Sequence, residues 1–302
     1  NVADSVNLDN STTGKTNPDG TSGDRITSQA ELKSAIQNNR SCYLANDVEL
    51  DWGSGKPNGN SYTGTFNGNG KVVRLRTSSD GWPMLYEWKG SGDNYYGAGF
   101  VGVLAPGGVI KNVTFEYKSL TWKFASPTAW HNGKKNTIAT FGLVCGENRG
   151  TIQNVRLDID SAKVEMHADT FADAEYANKL LLGGICGAQS GTLNNAYVNI
   201  TGNTELKVNT KNWRNVGGGF RALQMGITGG VYGAYTSVTA ALNTSNLMMK
   251  GGSGVILTAD SEPSGTGSDQ TGVLNFCGAV AGYNIQGVKG VVWDYQGSFW
   301  VR

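Results

Sequence analysis

Apolar and polar residues alternate along short segments of this chain, and the same alternation returns at a long interval. It reads Val-Ile-Lys-Asn-Val-Thr-Phe-Glu-Tyr at 109–117, Thr-Ile-Gln-Asn-Val-Arg-Leu-Asp-Ile at 151–159 and Thr-Leu-Asn-Asn-Ala-Tyr-Val-Asn-Ile at 192–200. The three align without gaps. One column holds Val113, Val155 and Ala196, the next Phe115, Leu157 and Val198, the next Tyr117, Ile159 and Ile200, with Thr, Arg, Glu, Asp and Asn between them. A period of two belongs to strands and excludes helical repeats. Each segment follows a short apolar pair bounded by glycines: Gly-Phe-Val-Gly at 99–102, Gly-Leu-Val-Cys-Gly at 142–146 and Gly-Gly-Ile-Cys-Gly at 183–187. Looser copies follow at 229–233 before 237–242, and at 277–282 before 285–292. The closing glycines at 102, 146, 187, 233 and 282 lie 44, 41, 46 and 49 residues apart, so coil length varies around a fixed core. A propeller blade would need antiparallel hairpins and its own tryptophan–aspartate signature, and neither is legible. The pattern predicts an all-β fold, a single-stranded right-handed parallel β-helix with apolar columns stacked inward.

Within that pattern Asn112, Asn154 and Asn195 share one column, with Ser237 and Gly287 taking the position in the looser copies. Asparagine and glycine tolerate left-handed backbone. A bend between two sheets needs that conformation once per coil, and stacked asparagines can bond to one another, so the column predicts an asparagine ladder. Before the coils, residues 26–36 carry Ser28 with Glu31 three places later and apolar residues at 32, 35 and 36, a capping box opening a short amphipathic helix. The division is a polar arm at 1–25 and one β-helix domain at 26–302, with a capping helix at 26–40 and coils at 41–302. Residues 67–70 are expected to form a tight turn, and stretches near 80–98 and 119–137 read as loops inserted between coils.

The glycine-bounded segments followed by Gly-Thr-Ile-Gln-Asn-Val resemble the GLUG-type repeats of bacterial cell-surface proteins. The opening Thr-Gly-Thr-Phe-Asn-Gly-Asn-Gly-Lys-Val-Val at 63–73 is similar to the first coil of pectate-lyase-like solenoids. The likeness runs from about 26 to 293 and fixes the fold better than the activity. It implies surface adhesins, protease-associated stalks and some polysaccharide-acting enzymes.

Composition narrows the partners. Charged residues are 16% of the 302 and sum to +1, so no general field attracts nucleic acid or an anionic membrane. No run approaches the ~20 apolar residues of a membrane helix. Glycine, at 44 residues against 6 prolines, belongs to turns rather than to a disordered tail. The resemblance, not the composition, implies an extracellular or cell-surface location. No cofactor or metal is expected: the cysteines form no CxxC pair, and His131 and His167 belong to no metal or nucleophile signature.

Three sets of residues carry candidate chemistry. Arg156, Asp158 and Asp160 point outward from one strand with Glu116 on the rung below, where paired carboxylates could do acid/base work if the protein were an enzyme. Glu165, His167 and Asp169 would form a second outward stripe, too spread out along one strand to converge on a metal. Cys145 and Cys186 hold the same position in successive copies, ~4.8 Å apart if stacked, near the spacing of a disulfide, although cysteine is also a good small inward residue and buried thiols are favoured. The strongest functional signal is aromatic: Trp82, Tyr86, Trp88, Tyr95 and Tyr96 in one loop and Trp122 and Trp130 in the other suit a sugar ring or a protein interface. The expected function is therefore a non-enzymatic, adhesin-like or structural surface protein that binds a glycan, a surface protein or itself. Alternatives are a filament subunit assembled through the N-terminal arm and a polysaccharide lyase or glycoside hydrolase.

Overall fold

The computed structural model describes residues 22–51, 61–76, 84–89, 93–125, 136–167, 178–211, 224–235, 243–262, 273–283, 293–297 and 300–301. The chain opens with β1 (Asp24–Ile26), α1 (Gln29–Gln37), β2 (Cys42–Leu44), β3 (Val48–Leu50), β4 (Thr65–Leu75) and β5 (Met84–Lys89). Five coils follow, each supplying one strand to each of four faces. Face 1 holds β6 (Asp93–Gly99), β10 (Asn136–Gly142), β14 (Asn178–Gly183), β18 (Gln224–Gly229) and β22 (Val273–Gly278). Face 2 holds β7 (Val101–Leu104), β11 (Cys145–Asn148), β15 (Cys186–Gln189), β19 (Tyr232–Tyr235) and β23 (Ala281–Tyr283). Face 3 holds β8 (Val109–Lys118), β12 (Thr151–Asp160), β16 (Thr192–Thr201), β20 (Thr244–Gly251) and β24 (Trp293–Gly297). Face 4 holds β9 (Thr121–Ala125), β13 (Lys163–His167), β17 (Glu205–Lys211), β21 (Ile256–Glu262) and β25 (Trp300–Val301). Successive strands on every face pair in parallel, and face 3 runs on through β4 to β2 and β1. This is a parallel β-helix.

The alternation in the sequence becomes inside and outside. Val113, Phe115 and Tyr117 of β8 stack beneath Val155, Leu157 and Ile159 of β12, all buried. At the N-terminal end Phe66, Phe100 and Phe115 pack with centroids 5.3 Å and 5.0 Å apart. Each such side chain contributes about 1.5–3 kcal/mol by leaving water. Helix α1 carries the full capping box, Ser28 and Glu31 each accepting from the other's backbone N–H, and buries Leu32, Ala35 and Ile36. It packs against β1 and β3 and covers that end of the core.

The asparagine ladder is present and longer than the sequence suggested. Asn112, Asn154 and Asn195 have φ of 52°, 52° and 53°. Asn195 Nδ2 donates to Asn154 Oδ1 at 2.8 Å, Asn154 Nδ2 to Asn112 Oδ1 at 3.1 Å, and Asn112 Nδ2 to Asn67 Oδ1 at 3.3 Å. The left-handed residue sits inside each face 3 strand and bends it, with pairing resuming on either side, instead of separating two sheets. Ala196 pairs with Leu247, which puts Asn246 (φ 53°) in the ladder column of the fourth coil; Ser237 and Gly287 lie outside the described residues. A second left-handed column, Ser119, Ser161 and Gly202, turns the chain from face 3 to face 4. Residues 67–70, expected as a tight turn, lie within β4 as a register irregularity, with left-handed backbone at Asn69 and Gly70, where Gly68, Asn69 and Gly70 are accommodated opposite Asn112.

The stretch at 80–98, expected as a loop, contains β5 and β6, an antiparallel pair that closes the N-terminal edge of face 1. The stretch at 119–137 contains β9 and the start of β10. Both stretches lie between the segments that repeat visibly, which is why the sequence reads them as insertions. In the fold, Tyr96 is fully buried and Trp122 is 8% exposed, its ring 5.9 Å from Tyr117 and edge-on to Phe141 at 4.9 Å.

Candidate functional site

The outward side of face 3 carries the charged stripe. Register places Arg74, Glu116, Asp158 and Asn199 one above another on β4, β8, β12 and β16. Arg74 Nε donates to Glu116 at 3.0 Å while its Nη2 reaches Asp47 at 3.3 Å. Arg156 Nε donates to both oxygens of Asp158, at 3.0 Å and 2.8 Å, Asn199 Nδ2 adds a third bond at 3.2 Å, and the Arg156 guanidinium lies 4.9 Å from the Tyr197 ring centroid. The hydrogen bond that Arg156 donates to Asp158 raises the Arg156 pKa above its ordinary value, reinforced by the charges of Asp158 and Glu116. Asp160 stands further along, at the bend, accepting from Ser161 Oγ at 2.9 Å. Arg156, Asp158 and Glu116 are thus brought together as the sequence suggested, and Asp160 is set apart. An open cleft of about 380 Å³ adjoins them, lined by Arg74, Leu75, Arg76, Glu116, Lys118 and Ser119. Ion pairs this exposed are worth about 0–1 kcal/mol each, so the stripe adds electrostatic order to the face more than stability.

The aromatic set separates. Tyr96 and Trp122 belong to the core and offer no surface to a ligand, which corrects their assignment as binding residues. Tyr86 and Trp88 lie on β5, with side chains outside the described residues, as are Trp82 and Trp130 altogether. Tyr95 stands half-buried at the edge of a seam where the outer sides of faces 1 and 2 meet.

That seam holds a network the motif reading passed over. Along face 2 the outward column reads Val103, Glu147, Ala188 and Ala234, one acidic residue among apolar ones, all buried. The Tyr95 hydroxyl donates to Glu147 Oε2 and lies 3.0 Å from Thr140 Oγ1. Arg149 Nη2 donates to Glu147 Oε2 at 2.7 Å, and Ser190 Oγ to Oε1 at 2.8 Å. Burial pushes the Tyr95 hydroxyl well above the ordinary tyrosine range, and the Glu147 charge pushes it further. The network joins side chains of three successive coils. An acidic residue just after a closing glycine, where the other copies carry small or apolar side chains, was the available signal.

Cys145 and Cys186 pair in register on β11 and β15, both buried and both free thiols. Burial pushes the Cys145 thiol well up, and its hydrogen bond to Cys186 adds to the shift. Cys42, near the N-terminal end, is pushed up to about 12 for the same reason. Glu165 is half-buried on β13; the His167 side chain and Asp169 lie outside the described residues, among which no His, Cys, Asp or Glu cluster is arranged to hold a metal. No described helix is long and apolar enough to cross a membrane. No family model, curated protein or solved structure matches the chain.

Proposed function

We propose that this chain is a non-enzymatic module of a secreted or cell-surface protein, adhesin-like or structural, whose rigid solenoid presents a binding surface for a glycan, a surface protein or another copy of itself. The observation that carries this reading is the state of the outward carboxylates. Glu116 and Asp158 each accept from an arginine, whereas a general acid or base must exchange its proton with a substrate. With Tyr96 and Trp122 in the core and the Tyr95 hydroxyl engaged by Glu147, Trp82, Tyr86, Trp88 and Trp130 remain as the aromatic contacts for a ligand, since aromatic faces stack on sugar rings.

The test is a glycan array probed with the full chain, alongside its molar mass by light scattering with and without residues 1–23, a truncation that leaves β1 intact. Glycan binding lost in a Trp82→Ala/Trp88→Ala variant of unchanged melting temperature supports the reading. Polymers that vanish on truncation support its self-binding form, a filament assembled through the arm. One observation favours a second reading: Glu116 and Asp158 are register neighbours on adjacent rungs. Cleavage of a polysaccharide by the wild type, abolished by Glu116→Gln or Asp158→Asn, would establish that reading and overturn the first.

A further inference from the structure

The face 2 column that begins each coil's inner corner reads Val101, Cys145, Cys186, Tyr232 and Ala281, every member in register with the next. Only one step of that column places two cysteines together. The glycines around it hold the coils tightly: a Cβ added at Gly142 would overlap the Cys145 carbonyl oxygen and the Cys186 Cα. Parallel strands in register put the two Cα atoms ~4.8 Å apart, inside the range that a disulfide spans. Both thiols are fully buried in register with each other, and Cys186 Sγ contacts Gln189 Oε1 at 3.5 Å. In backbone register Cys42 pairs with Phe66 and Cys277 with Thr228.

We propose that Cys145 and Cys186 are a disulfide-forming pair that staples two successive coils, closed by a small disulfide oxidant while the chain folds. One thiolate attacks the oxidant's disulfide, forming a mixed disulfide and releasing one reduced thiol. The second thiolate attacks the protein sulfur of that intermediate, the protein S–S bond forms, and the second reduced thiol leaves. The cysteines lose two electrons and two protons, and the oxidant gains them. The order follows from burial: exchange requires thiolate, and the folded environment disfavours it. The bond therefore closes before the coil shuts over it. Once made, it joins β11 to β15 across one full coil of chain, so unzipping from either end stops there.

The experiment is to unfold the full chain in denaturant with reductant, dilute it into mixed reduced and oxidised glutathione, block free thiols and map the peptides. The expected result is a Cys145–Cys186 linked peptide, with Cys42 and Cys277 blocked as thiols, and a melting temperature about 5 °C above that of the reduced protein. Cys145→Ala should show no difference between the two conditions. Should that variant fail to fold, Cys42→Ala/Cys277→Ala keeps the pair and must give the same link and the same rise. Absence of the linked peptide, a link involving Cys42 or Cys277, or a melting temperature unchanged or lowered by oxidation would overturn the proposal.

Discussion

Asn154 has two functions at one position. It holds a left-handed φ of 52°, a conformation that costs an ordinary side chain about 1–2 kcal/mol, and its amide both donates to Asn112 and accepts from Asn195. Glycine there would keep the conformation and lose both bonds; alanine would lose both and add strain. At a net value of about 1 kcal/mol per hydrogen bond, Asn154→Gly should lower stability by about 2 kcal/mol and Asn154→Ala by about 3, read from urea midpoints at constant slope. Equal losses would remove the strain component. This column was legible because asparagine is one of few residues suited to its backbone, and the flanking apolar columns fixed the alignment. Its companion of Ser119, Ser161 and Gly202 was not legible, since serine carries no comparable conformational signature. Asn246 was not legible because it lies thirteen residues after Gly233, against ten, eight and eight for Asn112, Asn154 and Asn195 after their glycines, and Ser237, which precedes Val-Thr as Asn112 does, stands nearer. Glu147 was legible only as an acidic residue in a column that holds Val103, Ala188 and Ala234; its enclosure was not, because nothing local distinguishes an outward acidic residue in water from one enclosed by another sheet.

Elements are held at their spacing by glycine where two strands approach through their backbones. Gly142 ends β10, pairs with Gly183 on β14 and faces the start of β11 and β15. A methyl group there meets main-chain atoms of strands locked by their own ladders, which cannot withdraw independently. Gly107 is the contrasting case, with a φ of +84° but open space around its Cβ position. We expect Gly107→Ala to cost about 1–2 kcal/mol from backbone strain alone and Gly142→Ala to cost at least about 4, a loss outside the usual range for a point mutation. Thermal midpoints of the purified variants check the ranking, and a mild Gly142→Ala would show that the coil can widen. The same packing explains which elements the sequence concealed. The glycine-flanked pair and the face 3 strand repeat faithfully because each copy meets the same neighbours. Face 4 and face 1 strands are separated by connections of ten, ten, twelve and ten residues that share no sequence pattern, and the aromatic residues of those strands, Tyr96 and Trp122 among them, fill the core where an isolated reading places them in exposed loops.

At the scale of the whole molecule, each coil touches only the coil before and after it, so stability is a sum of neighbour contacts and an interaction spanning three coils counts for more than its energy alone. Glu147 is that interaction: it gathers Tyr95 from the coil before, Arg149 from its own and Ser190 from the coil after. Arg74 also links rungs, but in the open, with side chains of Arg74 and Glu116 at 41% and 38% exposure. Removing the Glu147 carboxylate leaves the Tyr95 hydroxyl without its charged acceptor inside the seam, and hydrogen bonds to charged groups are worth about 1.5–3 kcal/mol. Glu147→Ala should therefore lose about 3 kcal/mol, with faster amide exchange along β6, β10, β11 and β15 and little change in β20. Arg74→Ala should lose less than about 1 kcal/mol, with exchange altered only beside β4 and β8, and the loss should shrink further in high salt because exposed pairs are screened. Hydrogen exchange by mass spectrometry resolves the two patterns. Loss of protection spreading evenly over all coils in Glu147→Ala would mean that the solenoid opens as one unit, and that the clasp adds energy without dividing the stack.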